Sequence, residues 1–423
     1  MREMKDSGIE WVGNVPKIWS LKPIRALFDE VTEKNFLGTC SNALKFTYGS
    51  IVRKPNFAAD ADDYVASTIL NYTVVEPGTI MLNGLNLNFD FVSQRIGLVK
   101  EKGVITSAYM AFKPNEKHLI DSEFATYLFK AYDGCKAFHN MGGGVRKILN
   151  FNEFKKYYIP LPDLNEQQHI VDFLDTQCSE IDATVEDIQK EISLLEDYKK
   201  SVITEAVTKG LNPDAEMKDS GIEWVGKVPV TWKIMPNKYI MTKKKVIKEV
   251  YDNENIISLS MNGVIVRDLE AGGKMPKTFD GYQIVYPGNL LMCLFDYDVT
   301  PRCIGLIKDY GVTSPAYSQF VMNNDNYSGY YYYYYLMIDH AKTLLHLAKN
   351  LRHSFTEEQL GAILAPVPTV EEQYQIVNYL DTKCSEIDTL IADKKRQLDI
   401  LADYKKSLIY EYVTGKKEVP VNE

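Results

Sequence analysis

From Asp163 the chain takes up a regular spacing of apolar residues: Val171, Leu174, Cys178, Ile181, Val185, Ile188, Ile192, Leu195 and Val202 follow one another at alternating steps of three and four, with one position, Lys199, missed. A seam of that period, sustained over several heptads, predicts a long helix paired with another in a coiled coil. A second run keeps the same register through Val377, Leu380, Cys384, Ile387, Ile391, Leu398, Leu401 and Leu408, with Lys394 at a core position. A lysine in a seam costs stability but can fix register. Asp163 stands three residues before Glu166, and Thr369 three before Glu372, each just after a proline, so both starts read as capping boxes. Gly210 and Gly415 mark the ends. Each helix should run about 45 residues, roughly 65 Å at 1.5 Å per residue.

A helix of that length with a single apolar stripe needs a partner, and its own duplicate is the obvious one. An antiparallel pair would place the intervening domains at opposite ends of a rod. The alternatives are that each helix packs on its own domain or pairs between chains.

Outside the seams the periodicity shortens. Runs such as "VVEPGTIML" from Val74 and "IGLVKEKGVITSAY" from Ile96 are β-branched stretches bounded by Pro-Gly and Lys-Gly punctuation. They are answered by "IVYPGNLLM" from Ile284 and "IGLIKDYGVTSPAY" from Ile304, and "IPLP" from Ile159 by "APVP" from Ala365. Two related domains of about 140 residues, each with several strands and one or two helices, are expected. The duplication is strongest at the domain margins. "MKDSGIEWVG" occurs at Met4 to Gly13 and again, letter for letter, at Met217 to Gly226, and the four tryptophans, Trp11, Trp19, Trp224 and Trp232, lie inside this repeat. "EQQHIVDFLDTQCSEID" from Glu166 matches "EQYQIVNYLDTKCSEID" from Glu372. A period of this size is domain duplication rather than a solenoid of short repeats. Trp19 and Trp232 are expected to pack at the junction of domain and helix; Trp11 and Trp224 fit packing or partner contact.

The net charge of −9 argues against a nucleic-acid partner until it is divided along the chain. Residues 165–210 hold 11 acids and 4 bases, and 370–416 hold 9 and 7, which leaves 37 of each sign elsewhere. The long helices are acidic and the domains are neutral overall, so basic residues can still gather on one face. No apolar run reaches the roughly 18 residues of a membrane span, and the charged start does not resemble a signal peptide, so a cytoplasmic protein is expected. The six cysteines show no metal spacing and read as reduced core thiols. No phosphate-binding loop, H-E-x-x-H, G-x-S-x-G or dinucleotide fingerprint occurs, so neither catalysis nor a cofactor is expected. "MGGGVRK" from Met141 reads as a surface loop, and the six consecutive tyrosines from Tyr330 read as helix packing rather than base stacking.

Two variable domains, each preceded by "SGIEWVG.VP..W" and followed by "P.P...EQ..IV..LD..CSEID", closely resemble the specificity subunit of type I restriction-modification systems over essentially the whole chain. The resemblance implies an α/β (α+β) tandem duplication: two globular target recognition domains joined by two long helices in an antiparallel coiled coil, with pseudo-twofold symmetry. Residues 1–162 would hold the first conserved segment and recognition domain, 163–210 the central helix, 211–368 the repeated segment and second domain, 369–416 the second helix, and 417–423 a tail. It further implies double-stranded DNA with a bipartite site as ligand. Two modification (methyltransferase) subunits would dock on the coiled coil, and restriction subunits would join in the full complex. The competing reading is a non-catalytic scaffold with two protein-binding domains and no DNA contact.

If DNA is the ligand, basic and amide side chains in the divergent loops are the candidates to touch it. In the first domain these are Arg53, Lys54, Asn83, Asn86, Asn88 and Arg95, and in the second Asn262, Arg267, Lys274, Lys277 and Arg302. Ser107 with Tyr109, and Ser314 with Tyr317, occupy a shared hairpin and could serve in either role. Arg146 beside Lys147, and Arg352 beside Asn350, coincide between the copies, and Arg146 and Arg352 are assigned to phosphate or to an internal salt bridge.

Overall fold

The computed structural model describes residues 2–54, 69–89, 94–116, 118–144, 147–270, 276–348 and 353–420. The chain divides into two units, Met1–Ile188 with Arg396–Glu423 and Gln189–Lys395. Each unit contains a domain, half of one long helix and half of the other.

The first domain is built on an antiparallel sheet of β1 (Phe28–Glu30), β2 (Ile80–Leu82), β3 (Ile96–Leu98) and β4 (Met110–Pro114), in the order β1-β4-β2-β3. The second repeats it with β5 (Met241–Lys244), β6 (Leu290–Met292), β7 (Ile304–Leu306) and β8 (Ser318–Met322), in the order β5-β8-β6-β7. The expected "PGTIML" and "PGNLLM" runs thus supply the same strand of each sheet. A 13-residue helix follows in each domain, α1 (Ser122–Gly134) and, later in the chain, α3 (Ser328–His340). The antiparallel pairing makes the domains α+β.

The cores differ in chemistry although the frame is shared. Phe28, Phe112, Phe129 and Phe154 pack edge-on or tilted at centroid distances of 5.3–5.8 Å in the first. In the second the tyrosine run fills α3: Tyr330, Tyr331, Tyr333, Tyr334 and Tyr335 are buried, and Tyr332 is half-buried. Tyr330 donates its hydroxyl to the Val207 carbonyl (2.9 Å) and Tyr333 to Asp381 (2.6 Å), which is how these phenols are tolerated in a core, while the buried Tyr335 hydroxyl has no hydrogen-bond partner among the described residues.

The long helices are α2 (Leu164–Lys209, 46 residues) and α4 (Val370–Val413, 44 residues). In the first unit Ile170, Val171, Leu174, Cys178 and Ile181 share one core with Leu408, Ile409, Tyr412 and Val413. Phe173 lies 4.5 Å from Tyr412, and Lys405 pairs with Asp182 (2.5 Å). Positions rise along one helix as they fall along the other, so the pair is antiparallel. The second unit has the same geometry: Lys394 pairs with Glu191 (2.5 Å) and Lys199 with Asp388 (2.6 Å), while Val202, Ile203, Ala206 and Val207 share a core with Ile376, Val377, Leu380 and Cys384. The missed seam position Lys199 and its repeat equivalent Lys405 therefore each reach an aspartate of the opposing helix. Ile188, Ile387 and Ile391 are buried; Val185, Ile192, Leu195, Leu398 and Leu401 are half-buried.

Two readings are corrected. Thr369 and Glu372 form the reciprocal capping box, but in the first copy only Asp163 caps, accepting from the Glu166 backbone N–H (2.9 Å). The Glu166 carboxylate is held instead by Trp19 Nε1 (2.9 Å) and Arg2. Four cysteines are buried as expected, but Cys40 is half-buried and Cys135 exposed, because Cys135 caps the C-terminus of α1.

The repeated tryptophan segments form the joints between helix ends. Trp19 donates to Glu166 at the start of α2, and Trp232 to Glu372 at the start of α4 (3.1 Å). In the first unit the same segment meets the end of α4: Tyr410 donates to the Trp11 carbonyl (3.0 Å) and Lys416 to that of Val12 (2.6 Å). Gly415 sits there at φ +70°, where a β-carbon would lie 2.4 Å from Pro16. Gly210, which ends α2 at φ +74°, also lies against an indole, and a β-carbon there would be 3.2 Å from Trp232.

Truncating a seam residue should be costly and removing a seam lysine should not. Leu174→Ala or Leu380→Ala is expected to lower unfolding free energy by about 2–5 kcal/mol, through lost transfer and a residual cavity. Lys199→Ala should change it by under about 1 kcal/mol, since its partner Asp388 is exposed. Chemical denaturation of the three variants checks the ranking.

Candidate nucleic-acid interface

In each domain a β-hairpin lies over the third sheet strand. In the first, Leu44–Thr47 pairs with Ser50–Arg53, and in the second, Ile257–Ser260 with Gly263–Val266. Alternation sends Leu44, Phe46 and Ile51 inward onto Met81, Val99, Ile105 and Tyr109. In the second domain Ile257, Leu259 and Val264 turn inward onto Val285, Leu291, Ile307 and Tyr317. Close approach is possible because the strand beneath carries glycine: a β-carbon at Gly97 would lie 3.1 Å from Ile51, and one at Gly305 2.5 Å from Val264. Tyr109, half-buried against Phe46 (5.5 Å), and Tyr317, against Phe295 (6.1 Å), therefore support the hairpins from behind. Burial raises the Tyr317 phenol above its usual range.

The hairpins gather several of the expected contact residues. Arg53 and Lys54 are exposed at the end of the first; Arg53 pairs with Glu101 (2.7 Å), whose hydrogen bond raises the guanidinium and lowers the carboxyl. Arg267 is the positional equivalent of Lys54, each donating its backbone N–H to the residue before the hairpin, Ile256 or Ala43. Asn262 is exposed at the turn of the second hairpin.

Two arginines expected to reach a ligand brace loops instead. Arg95 is buried at 7% exposure, and its guanidinium donates to the carbonyls of Asn83 and Leu85 (2.8 Å each) and Asn86 (3.4 Å). Its side chain shapes the 83–88 loop, on which Asn86 and Asn88 are exposed and Asn83 caps the turn at Leu85. Arg302 is half-buried and donates to the carbonyls of Ile304 and Met261 (3.1 Å each) and to the Tyr332 hydroxyl (2.5 Å). Each site turns two or three backbone carbonyls toward one point, which suits an arginine with five donors.

Lys147 adjoins the 83–88 loop, its carbonyl accepting from Leu87 N–H (3.1 Å). Ser107 is tied by Lys34, the Asn71 carbonyl (2.8 Å) and Thr73 (3.1 Å), away from the hairpin turn. Ser314 is half-buried and presents its carbonyl to Gln283 (2.9 Å), and Lys277 is exposed on a separate loop. Arg146, Lys274, Asn350 and Arg352 lie outside the described residues. Residue-type reasoning missed the hairpin turns themselves, although "LKFTYGSIVR" alternates in the manner of a hairpin around Tyr-Gly. Among the described residues no group of histidine, cysteine or acidic side chains could hold a metal ion, and no helix is long and apolar enough to cross a membrane.

Residues 27–194 match the family model described as the type I restriction modification DNA specificity domain. The chain is 24% identical over 345 residues to the type I restriction enzyme MjaVIII specificity subunit of Methanocaldococcus jannaschii, covering 75% of each. It is 21% identical over 426 residues to the putative MjaX specificity subunit of the same organism, covering 96% of each. Its fold matches a chain in a solved structure concerned with complex assembly and conformational transition of the type I R-M system. That match has a TM-score of 0.70 at 13% identity, over 95% of this chain and 99% of that one.

Arg95→Ala should behave as a stability mutation, lowering unfolding free energy by about 1–3 kcal/mol because buried carbonyls lose their donors. Lys45→Ala, exposed on the first hairpin, should leave the thermal midpoint where it is. Calorimetry of the pair separates a brace from a surface contact.

Proposed function

We propose that this chain, which is similar to the specificity subunits of type I restriction-modification systems, is such a subunit and that each of its two domains reads one half of a bipartite double-stranded DNA site. The long helices set the spacing between half-sites and dock two methyltransferase subunits, which restriction subunits join in the full complex. The carrying observation is that one frame occurs twice, with matching sheet order, joints and hairpin register, while the side chains on the hairpins and the 83–88 loop differ from their counterparts. A shared frame with unlike reading elements suits a split, asymmetric site.

Two docked copies of one partner call for one surface presented twice. Leu194 and Tyr198 are exposed on α2 at 69% and 55%, and Ile400 and Tyr404, their repeat equivalents, on α4 at 61% and 51%. Exposed apolar pairs one helical turn apart suit contact with a partner helix. The chemistry then resides on those partners in the cytoplasm, and the chain alone should show neither methyl transfer from S-adenosylmethionine nor ATP hydrolysis.

The test is methylation mapping of DNA exposed to the chain assembled with its methyltransferase subunits. A split motif with two unlike halves and a fixed spacer is expected. Site-independent methylation, together with no band shift on any duplex, would favour the scaffold reading.

A further inference from the structure

The two hairpins end in side chains that nothing described above uses. Tyr48 at the first turn is 82% exposed and Met261 at the second 73%. The two occupy the same register position, directly after Thr47 and Ser260, the last residues of their first strands. A large apolar side chain held in solvent at one hairpin turn is unremarkable; at the same position in both domains, whose surrounding sequence has diverged, it needs a reason.

The backbone adds to this at Tyr48. Tyr48 and Gly49 both have positive φ, +46° and +74°, the signature of a two-residue type I′ turn. Asn, Asp or Gly is the favoured first residue there, and a tyrosine is strained. The second hairpin turns differently, with positive φ at Gly263 (+96°), just after the turn, and not at Met261, so Met261 sits without strain. Strain kept at one turn, where an asparagine would remove it, points to selection for the ring.

The first hairpin is basic: residues 44–54 carry Lys45, Arg53 and Lys54 and no acid, with Arg53 paired to Glu101 (2.7 Å) from outside it. The second carries Arg267, followed by Asp268 and Glu270. The hairpins are also held from below: the inward faces are packed, and the Arg302 guanidinium donates to the Met261 carbonyl itself (3.1 Å).

We infer that the two hairpin turns are DNA-groove probes, with Tyr48 and Met261 inserted against the bases of their respective half-sites and the exposed Lys45 of the first hairpin facing phosphate. This rests on the reading of the chain as a DNA-specificity subunit. Aromatic rings gain from stacking on bases, and apolar side chains including methionine are used as wedges between base steps. Arg302 is a positioning residue for the second probe.

The experiment uses the chain assembled with its methyltransferase subunits, on a duplex bearing the motif that methylation mapping assigns to it. Tyr48→Asn should keep or raise the thermal midpoint, because it relieves the turn, yet weaken binding about tenfold. It should relax base preference in one half of the motif only. Met261→Ala should do the same to the other half, and Tyr48→Phe and Met261→Leu should retain wild-type binding. Wild-type affinity and an unchanged motif in both Tyr48→Asn and Met261→Ala would overturn the inference while leaving the DNA reading intact. Weakened assembly with the methyltransferase, with the motif unchanged, would also overturn it by making the turns protein contacts. Absence of site-specific binding by the wild-type complex would remove both.

Discussion

The structure depends on one constraint: two acidic helices of 46 and 44 residues must bury a narrow apolar stripe, and each does so against the other running in the opposite direction. A helix of that length is not held by propensity alone, and tertiary packing of its apolar face must supply the difference. The indole joints complete the arrangement. At each, a tryptophan from the conserved segment hydrogen-bonds the glutamate that opens one long helix, while the glycine that closes the other lies against the same indole. That accounts for the recurrence of Trp19 as Trp232, and in the first unit the fit reaches the level of single atoms at Gly415 and Pro16.

Polar groups set the specificity of this pairing more than its strength. Lys199 and Lys405 interrupt the seam at equivalent positions, and each meets an aspartate, Asp388 or Asp182, that also recurs in the repeat. Pairs this exposed contribute little net energy, but a misregistered helix would leave a lysine against an apolar position. The same division runs through the domains. Tyr127 donates to Asp175 and Tyr333 to Asp381, both at 2.6 Å, tying α1 to α2 and α3 to α4 with one repeated hydrogen bond. With the frame held by repeated contacts, the hairpins and loops are free to differ.

The two long helices were legible in the sequence because a 3.5-residue period over so many turns specifies a coiled-coil seam, whereas the period alone left open whether each seam meets its duplicate, its own domain or another chain. The strands were legible as paired runs, since "PGTIML" and "PGNLLM" meet the same constraint in both copies. The candidate site was legible only in part. Residue type marked Arg95 and Arg302 as ligand contacts, but whether an arginine faces solvent or a ring of carbonyls depends on how distant loops close, which no local pattern records. Tyr48 and Met261 were invisible for the opposite reason: an apolar residue is assigned to the core by default, and only its solvent exposure in both domains singles it out. The tyrosine run was read correctly as packing, since six successive helical residues cannot all face one ligand.

The antiparallel pairing is tested most directly by zero-length carbodiimide coupling of the native chain, followed by peptide mapping. Amide links between Lys199 and Asp388 and between Lys405 and Asp182 are predicted, because each ammonium lies within 2.6 Å of its carboxylate. Recovery of neither link, in a native chain whose intrahelical lysine–acid pairs do couple, would contradict the account.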